Sequence, residues 1–241
     1  MTFGDLFAGI GGISLGLERA GMVCKWQVEI DDFCQKVLVK HWPSVPRYGD
    51  IREVDFERVE PVDLVAGGFP CQPHSIAGKQ RCAEDDRDLW PEFRRAVASL
   101  RPTWVLCENV PGIRGTILDQ VLADLEHLGY ATWVPDIPAA AFDAPHRRER
   151  IFVVAYSERN RLALSKLRTA SCGKGNEAAT PESFLLPAWP PGPSEIARIP
   201  RTTDGLPNRI HRLRALGNAV VPQVAEWLGR QIIKANEADC D

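Results

Sequence analysis

Thr2-Phe-Gly-Asp-Leu-Phe7 runs straight into Ala8-Gly9-Ile10-Gly11-Gly12, and Ile13, Leu15, Leu17 and Ala20 then recur at helical spacing up to Gly21. A short apolar strand, a glycine-rich turn and a helix that stops at glycine make one strand–turn–helix unit. The turn lets a ligand approach the backbone closely at the C-terminal edge of a sheet. It lacks the spaced G-x-G-x-x-G of dinucleotide binding, and by itself a tight structural turn explains it equally well.

The same alternation continues outward. Met22–Val28 reads as a second strand ending at Glu29, and Asp31 is placed to cap a helix carrying Phe33, Val37 and Leu38. Val62–Ala66 and Trp104–Cys107 are continuous apolar runs, the pattern of strands buried on both faces. Leu89–Leu100 and Ile117–Leu128 have helical period, and Ile151–Ala155 is a further strand. Strands alternating with helices predict an α/β fold with a doubly wound, mainly parallel sheet. From Ser157 to Asn208 no period survives and 7 of the 19 prolines gather, which predicts a loop-rich insert. Val220, Val221, Val224, Trp227, Leu228 and Ile232 restore helical spacing afterwards.

Composition agrees with an ordinary globular chain: 241 residues, 44% hydrophobic and 25% charged. That length is enough to bury a core without disulfides. No apolar run approaches a membrane-spanning length, and Met1–Asp5 lacks the pattern of an export signal. Seven cysteines without a C-x-x-C spacing suggest neither a disulfide framework nor a metal site. A reducing, cytoplasmic setting is expected. The net charge of −3 conceals a division, with a balance of −7 over residues 1–140, +6 over 141–215 and −2 over 216–241. A basic segment inside an acidic chain is what a polyanion-binding face requires.

Four constellations carry chemistry. Glu29, some 20 residues beyond the glycine turn, is placed to accept hydrogen bonds from ribose hydroxyls, and Asp50-Ile51 could hold and pack an adenine. Gly67-Gly68-Phe69-Pro70-Cys71-Gln72-Pro73 puts a cysteine in a constrained loop just past a buried strand, where free amides favour its thiolate; a buried, inert thiol is the plainer alternative. Glu108-Asn109-Val110 follows the next strand, so Glu108 and Cys71 could face one pocket. In His146-Arg147-Arg148-Glu149-Arg150, alternation predicts that His146, Arg148 and Arg150 share a face, able to bind phosphate or orient Glu108.

DLFAGIGG, VEIDD, GDI, GGFPCQPHSIAGK, DRDLW, ENVPGI, RRERIFVVA and RALGNAVVP, in that order, closely resemble the DNA (cytosine-5) methyltransferase family. The resemblance implies a Rossmann-like S-adenosylmethionine-dependent methyltransferase fold. It implies that Phe7, Ala8, Gly9, Ile10 and Gly12 line the cofactor's methionine and ribose, with Glu29 on the ribose hydroxyls. Asp50, Ile51 and Leu89 would bound the adenine, and Ile30 and Pro70 belong to the same set. Asn218 and Val220 would close the pocket, which makes the catalytic domain discontinuous, 1–156 plus 209–241, around a reduced target-recognition region at 157–208.

By the same resemblance Cys71 adds to C6 of a flipped-out cytosine, Glu108 holds N3 and the exocyclic amine, and Arg148 contacts the base and holds Glu108, with Arg150 beside it. Gln72, Ser75, Arg147, Arg209, Arg212 and Arg214 would meet double-stranded DNA. A monomer without metal is expected, in a bacterial cell or phage-infected host and nucleoid-associated through its DNA. The chain departs from the family in carrying His146 where glutamine is usual and Ala219 where serine is usual. A non-catalytic regulator on the same fold is a competing reading, opposed by the retained Cys71, Glu108 and Arg148. A tRNA substrate is another, opposed by the absence of a C-F-T tripeptide from 157–208.

Overall fold

The computed structural model describes residues 1–70, 88–142, 144, 148–157 and 209–237. Eight strands form one sheet: β1 Thr2–Leu6, β2 Val23–Val28, β3 Arg47–Tyr48, β4 Leu64–Gly67, β5 Trp104–Asn109, β6 Tyr130–Trp133, β7 Asp136–Pro138 and β8 Glu149–Ser157. Their order is β3-β2-β1-β4-β5-β8-β6, with β7 also paired to β8. The first five run parallel, while β8 is antiparallel to β5, β6 and β7. The helices are α1 Gly12–Arg19, α2 Asp32–His41, α3 Trp90–Leu100, α4 Leu118–His127, α5 Arg209–Asn218 and α6 Pro222–Glu237.

The mainly parallel, doubly wound sheet expected from the sequence is present. Helices cover both faces, and the apolar runs explain how. Alternate residues of a strand face opposite sides, so Val65, Val105, Cys107, Ile151 and Val153 pack with Trp90 and Phe93 of α3 and Val121 and Leu125 of α4. Leu64, Ala66, Trp104, Leu106, Phe152 and Val154 pack instead with Ile13 and Leu17 of α1 and Val224, Leu228 and Ile232 of α6. The last helix therefore returns to the first, and the two approach closely: a Cβ on Gly16 would lie 2.5 Å from the Ala225 Cβ.

Three elements were not legible in periodicity. β3 is only two residues long, and β6 and β7 lie in a stretch too short to display a period. The closing helix also begins later than its apolar pattern suggested, at Pro222, leaving Val220 and Val221 in a connector. Proline starts a helix readily because its fixed φ suits the first turn and its missing N–H would be unpaired there anyway.

A polar cluster is buried beneath α1. A register shift after the Phe3–Cys24 pair brings Gln27 opposite Asp5 on the α1 side. Ser14 Oγ donates to Asp5 Oδ2 at 2.6 Å, and Gln27 Nε2 donates to Ser14 Oγ at 3.0 Å. Asp5 Oδ1 and Gln27 Oε1 accept no hydrogen bond among the described residues. Burial pushes the Asp5 carboxyl up to about 7, opposed by its bonds to Ser14 and assisted by the charge of Glu29.

Because the folded state binds this proton more tightly than the unfolded chain, the contribution to stability is full below 3.8 and is lost as pH rises toward about 7. The slope is at most about 1.4 kcal/mol per pH unit. Asp5→Asn removes the titration. Urea unfolding from pH 4 to 8 should show wild type losing stability relative to Asp5→Asn as pH rises; parallel profiles would contradict it.

Candidate active site

The chain leaves β1 toward β2 and β3 on one side and returns to β4 and β5 on the other. That switch opens a crevice at the C-terminal ends of β1 and β4, where ligands bind in open α/β sheets. Gly67 of β4 lies so close to β1 that a Cβ on it would meet the Leu6 carbonyl at 2.3 Å. The turn after β1 and the loop after β4 are therefore neighbours.

The first turn is strained and heavily tied. Phe7 has φ +55°, unusual for a residue with a side chain, and Gly9 and Gly11 are also left-handed. Ala8 N donates to the Val28 carbonyl at 3.0 Å, linking the turn to the end of β2. Glu29, just beyond β2, organises the rest. Its Oε2 accepts from Gly9 N at 2.6 Å and its Oε1 from Asp31 N at 2.8 Å. Its carbonyl accepts from Gln35 Nε2 at 2.6 Å. Asp31 caps α2 as the sequence suggested, accepting from Phe33 N and Cys34 N. Each Glu29 oxygen keeps a lone pair, so the carboxylate can accept from a ligand while it holds the turn.

On the adenine side expected from the sequence, Asp50 accepts from Arg52 N at 3.0 Å and forms an ion pair with the Arg52 guanidinium. Those bonds hold its carboxyl below the usual range. Ile51 is a core residue, 3% exposed and packed in the cluster that includes Trp90. Ile30 is the opposite, 62% exposed beside Glu29. A cavity of about 520 Å³ flanks this edge, lined by Tyr48, Asp50, Glu53 and Asp55 among others. Leu89 precedes α3 and is half-buried.

Past β4, Phe69 is buried against Trp90 and Phe93, with ring centroids 5.4 and 6.1 Å away, and Pro70 is exposed. Cys71, Gln72, Ser75 and Arg147 lie outside the described residues, as do the side chains of Arg209 and Arg212. Asn109 reaches across from β5: its Nδ2 donates to the Phe69 carbonyl at 3.0 Å, and its Oδ1 accepts from Val110 N at 2.8 Å. Sequence reasoning does not single out this tether; the signal for it is the place of Asn109 beside Glu108 in the E-N-V motif.

Glu108 is the last outward step of one face of β5. It belongs to the strand rather than following it. Residues 104, 106 and 108 share a face, as do 150, 152 and 154 of β8, and Glu108 pairs in register with Phe152. Arg150 is thus its diagonal neighbour, within reach of a long side chain. Arg150 Nε stands 2.8 Å from Glu108 Oε1 and forms an ion pair with it. The carboxyl also lies against Gly68, where a Cβ would come 2.7 Å from Oε2. Burial raises the affinity of Glu108 for its proton, opposed first by Arg150 and then by Arg148.

Arg150 forms the ion pair with Glu108, while Arg148, expected to hold Glu108, makes no hydrogen bond to it among the described residues and acts on it through its charge. Arg148 Nη2 donates instead to the carbonyls of Gly217 at 2.7 Å and Ala219 at 2.6 Å. The reason is local: Arg148 precedes β8 and has φ +33°, so strand alternation does not extend to it. Asn218 is exposed at the end of α5 and Val220 is buried. Arg214 is exposed, and its charge reaches Asp31, helping to keep that carboxyl ionised.

A strained glycine turn and a carboxylate at the switch point of this mainly parallel sheet define a Rossmann-like α/β class. A family model for C-5 cytosine-specific DNA methylases matches residues 1–183, and the chain belongs to that family. It is 41% identical over 169 residues to the type II methyltransferase M.Eco47II of Escherichia coli, covering 66% of this chain and 40% of that one. It is 36% identical over 165 residues to the type II methyltransferase M.DsaV of Dactylococcopsis salina, covering 66% and 47%. A crystal structure described as a DNA modification methyltransferase encoded within an E. coli prophage superposes with a TM-score of 0.58 at 30% identity, covering 67% of this chain and 48% of that one. The chain spans less than half the length of these relatives. Among the described residues no helix is long and apolar enough to cross a membrane, and no group of side chains is arranged to hold a metal.

Asn109→Ala should leave the Phe69 carbonyl without its donor in a buried setting. Urea denaturation should show a loss of about 1–3 kcal/mol; a midpoint equal to wild type would show that the tether contributes nothing.

Proposed function

We propose that the chain is a DNA (cytosine-5) methyltransferase that methylates C5 of a flipped-out cytosine in double-stranded DNA. The observation that carries this reading is Glu108: a buried carboxyl at the end of β5 with a raised proton affinity, paired with Arg150. It lies against the loop that leads to Cys71. A carboxyl of this kind can donate to a ring nitrogen that gains negative charge.

The residues around the first turn fit S-adenosylmethionine. A Cβ on Gly9 would meet nothing within 4 Å, so the turn is open to a ligand. Ile30 offers an uncovered apolar surface to an aromatic base, and Glu29 stands ready for ribose hydroxyls. Phe7, Ala8, Ile10 and Gly12 would flank the remainder, with Asp50, Leu89 and Pro70 at the adenine side and Asn218 and Val220 closing the pocket. Bound there, the cofactor supplies an electrophilic sulfonium methyl group.

The rest is work for the chain's own groups. Cys71 thiolate forms a bond to C6 of cytosine, and the displaced electron pair reaches N3 through the ring. Glu108 donates to N3 and accepts from the exocyclic amine, holding the base while C5 becomes nucleophilic. C5 takes the methyl and leaves the neutral thioether S-adenosylhomocysteine; loss of the C5 proton to water then re-forms the C5–C6 double bond as Cys71 leaves as thiolate. The target must be out of the stack, at a cost of roughly a few kcal/mol. The basic balance of residues 141–215 supplies charge for phosphates.

Bisulfite sequencing of plasmid DNA from cells expressing the chain should reveal protected cytosines in one short sequence context. Cys71→Ser should abolish the protection and retain cofactor binding. Full protection by Cys71→Ser would refute the nucleophile, and its absence from wild type would refute the activity.

A further inference from the structure

Resting on the cofactor reading above, we propose that Arg148 is a positioning residue for the cofactor pocket, one that clamps the connector between α5 and α6 over the glycine turn. Three observations converge on it. First, both hydrogen bonds of its Nη2 go to the carbonyls that flank Asn218, those of Gly217 and Ala219. The last carbonyls of a helix have no partner within it, and a cation there is favoured by the helix dipole. Arg148 meets both needs at the end of α5.

Second, the clamped connector touches the turn directly. Val220 is buried, and a Cβ on Gly12 would lie 2.4 Å from its carbonyl. Only a glycine admits that approach. The contact runs from the start of β8 through Gly217–Ala219 to Val220 and thence to the first residue of α1.

Third, α5 is fastened at its other end to the segment that follows Glu29. The His211 ring stacks on Phe33 of α2 at 5.9 Å, and the Arg214 charge acts on Asp31. The helix thus bridges the catalytic strand and the ribose-side loop. Arg148 joins it to the start of β8. Arg150, two residues on, is committed to Glu108 and has no part in the clamp. The two arginines divide the labour, one serving the base side and the other the cofactor side.

The test compares Arg148→Ala and Arg150→Ala with wild type in full-length protein, without DNA. Calorimetric binding of S-adenosylhomocysteine should weaken by about tenfold or more in Arg148→Ala, as expected for losing two charge-assisted bonds. Arg150→Ala should bind as wild type does. Amide hydrogen exchange without ligand should quicken across residues 215–221 in Arg148→Ala only. Both changes are required: wild-type affinity, or wild-type exchange, in Arg148→Ala overturns the proposal. Should that variant not fold, Arg148→Lys decides by the same two readings, with smaller changes in the same directions. Wild type that fails to bind S-adenosylhomocysteine overturns the cofactor reading and this proposal with it; wild-type binding with an indifferent Arg148→Ala overturns this proposal alone.

Discussion

Parallel pairing of β4 with β1 on one side and β5 on the other is the constraint on which the site depends. Hydrogen-bonded strands lie about 4.8 Å apart, so the turn after β1, the loop after β4 and the end of β5 are forced into one crevice. Nothing in that crevice is close in sequence: Gly9, Gly68 and Glu108 meet only because Leu6, Gly67 and Cys107 stand in register. The backbone approach at Gly67 tightens the same junction.

Antiparallel β8 then adds what a parallel sheet could not. Running back along β5, it delivers its N-terminal residues to the C-terminal end of β5, and Arg150 arrives diagonal to Glu108. Glu108 is buried and Arg150 half-buried, and burial opposes the charge on Glu108 while the guanidinium favours it. A carboxyl held between those influences is suited to donate as well as accept. Asp5 is the contrasting case: buried, linked to Ser14 and Gln27, and with no cation among the groups that shift it, it rises to about 7. Both carboxyls are buried, one paired with a cation at the end of β5 and the other beneath α1.

Much of this was legible beforehand. Strands with unbroken apolar runs and helices with clear stops were found because both faces of a parallel strand, and one face of a helix, must exclude water. The candidate residues at strand ends were found because catalytic groups gather there. Two kinds of feature escaped. Short strands such as β3 carry no period to read. The bonds of Arg148 to Gly217 and Ala219 escaped because the alternation expected of His146, Arg148 and Arg150 does not extend into the backbone before β8, where Arg148 has positive φ. Asn109 was overlooked because its role lies in reaching a backbone carbonyl forty residues away in sequence.

The amino-acid sequence by itself determined the alternating strands and helices, the glycine turn, the carboxylates at strand ends and the family to which the chain belongs. These follow from local patterns: apolar spacing, residue types that tolerate a turn, and motifs in a set order. Only the tertiary structure decided which arginine serves Glu108, which one grips Gly217 and Ala219, and how the last helix closes on the first. Those pairings depend on register, diagonal distance and the twist of one dihedral. They are properties of strands already side by side, and no pattern along a single chain contains them.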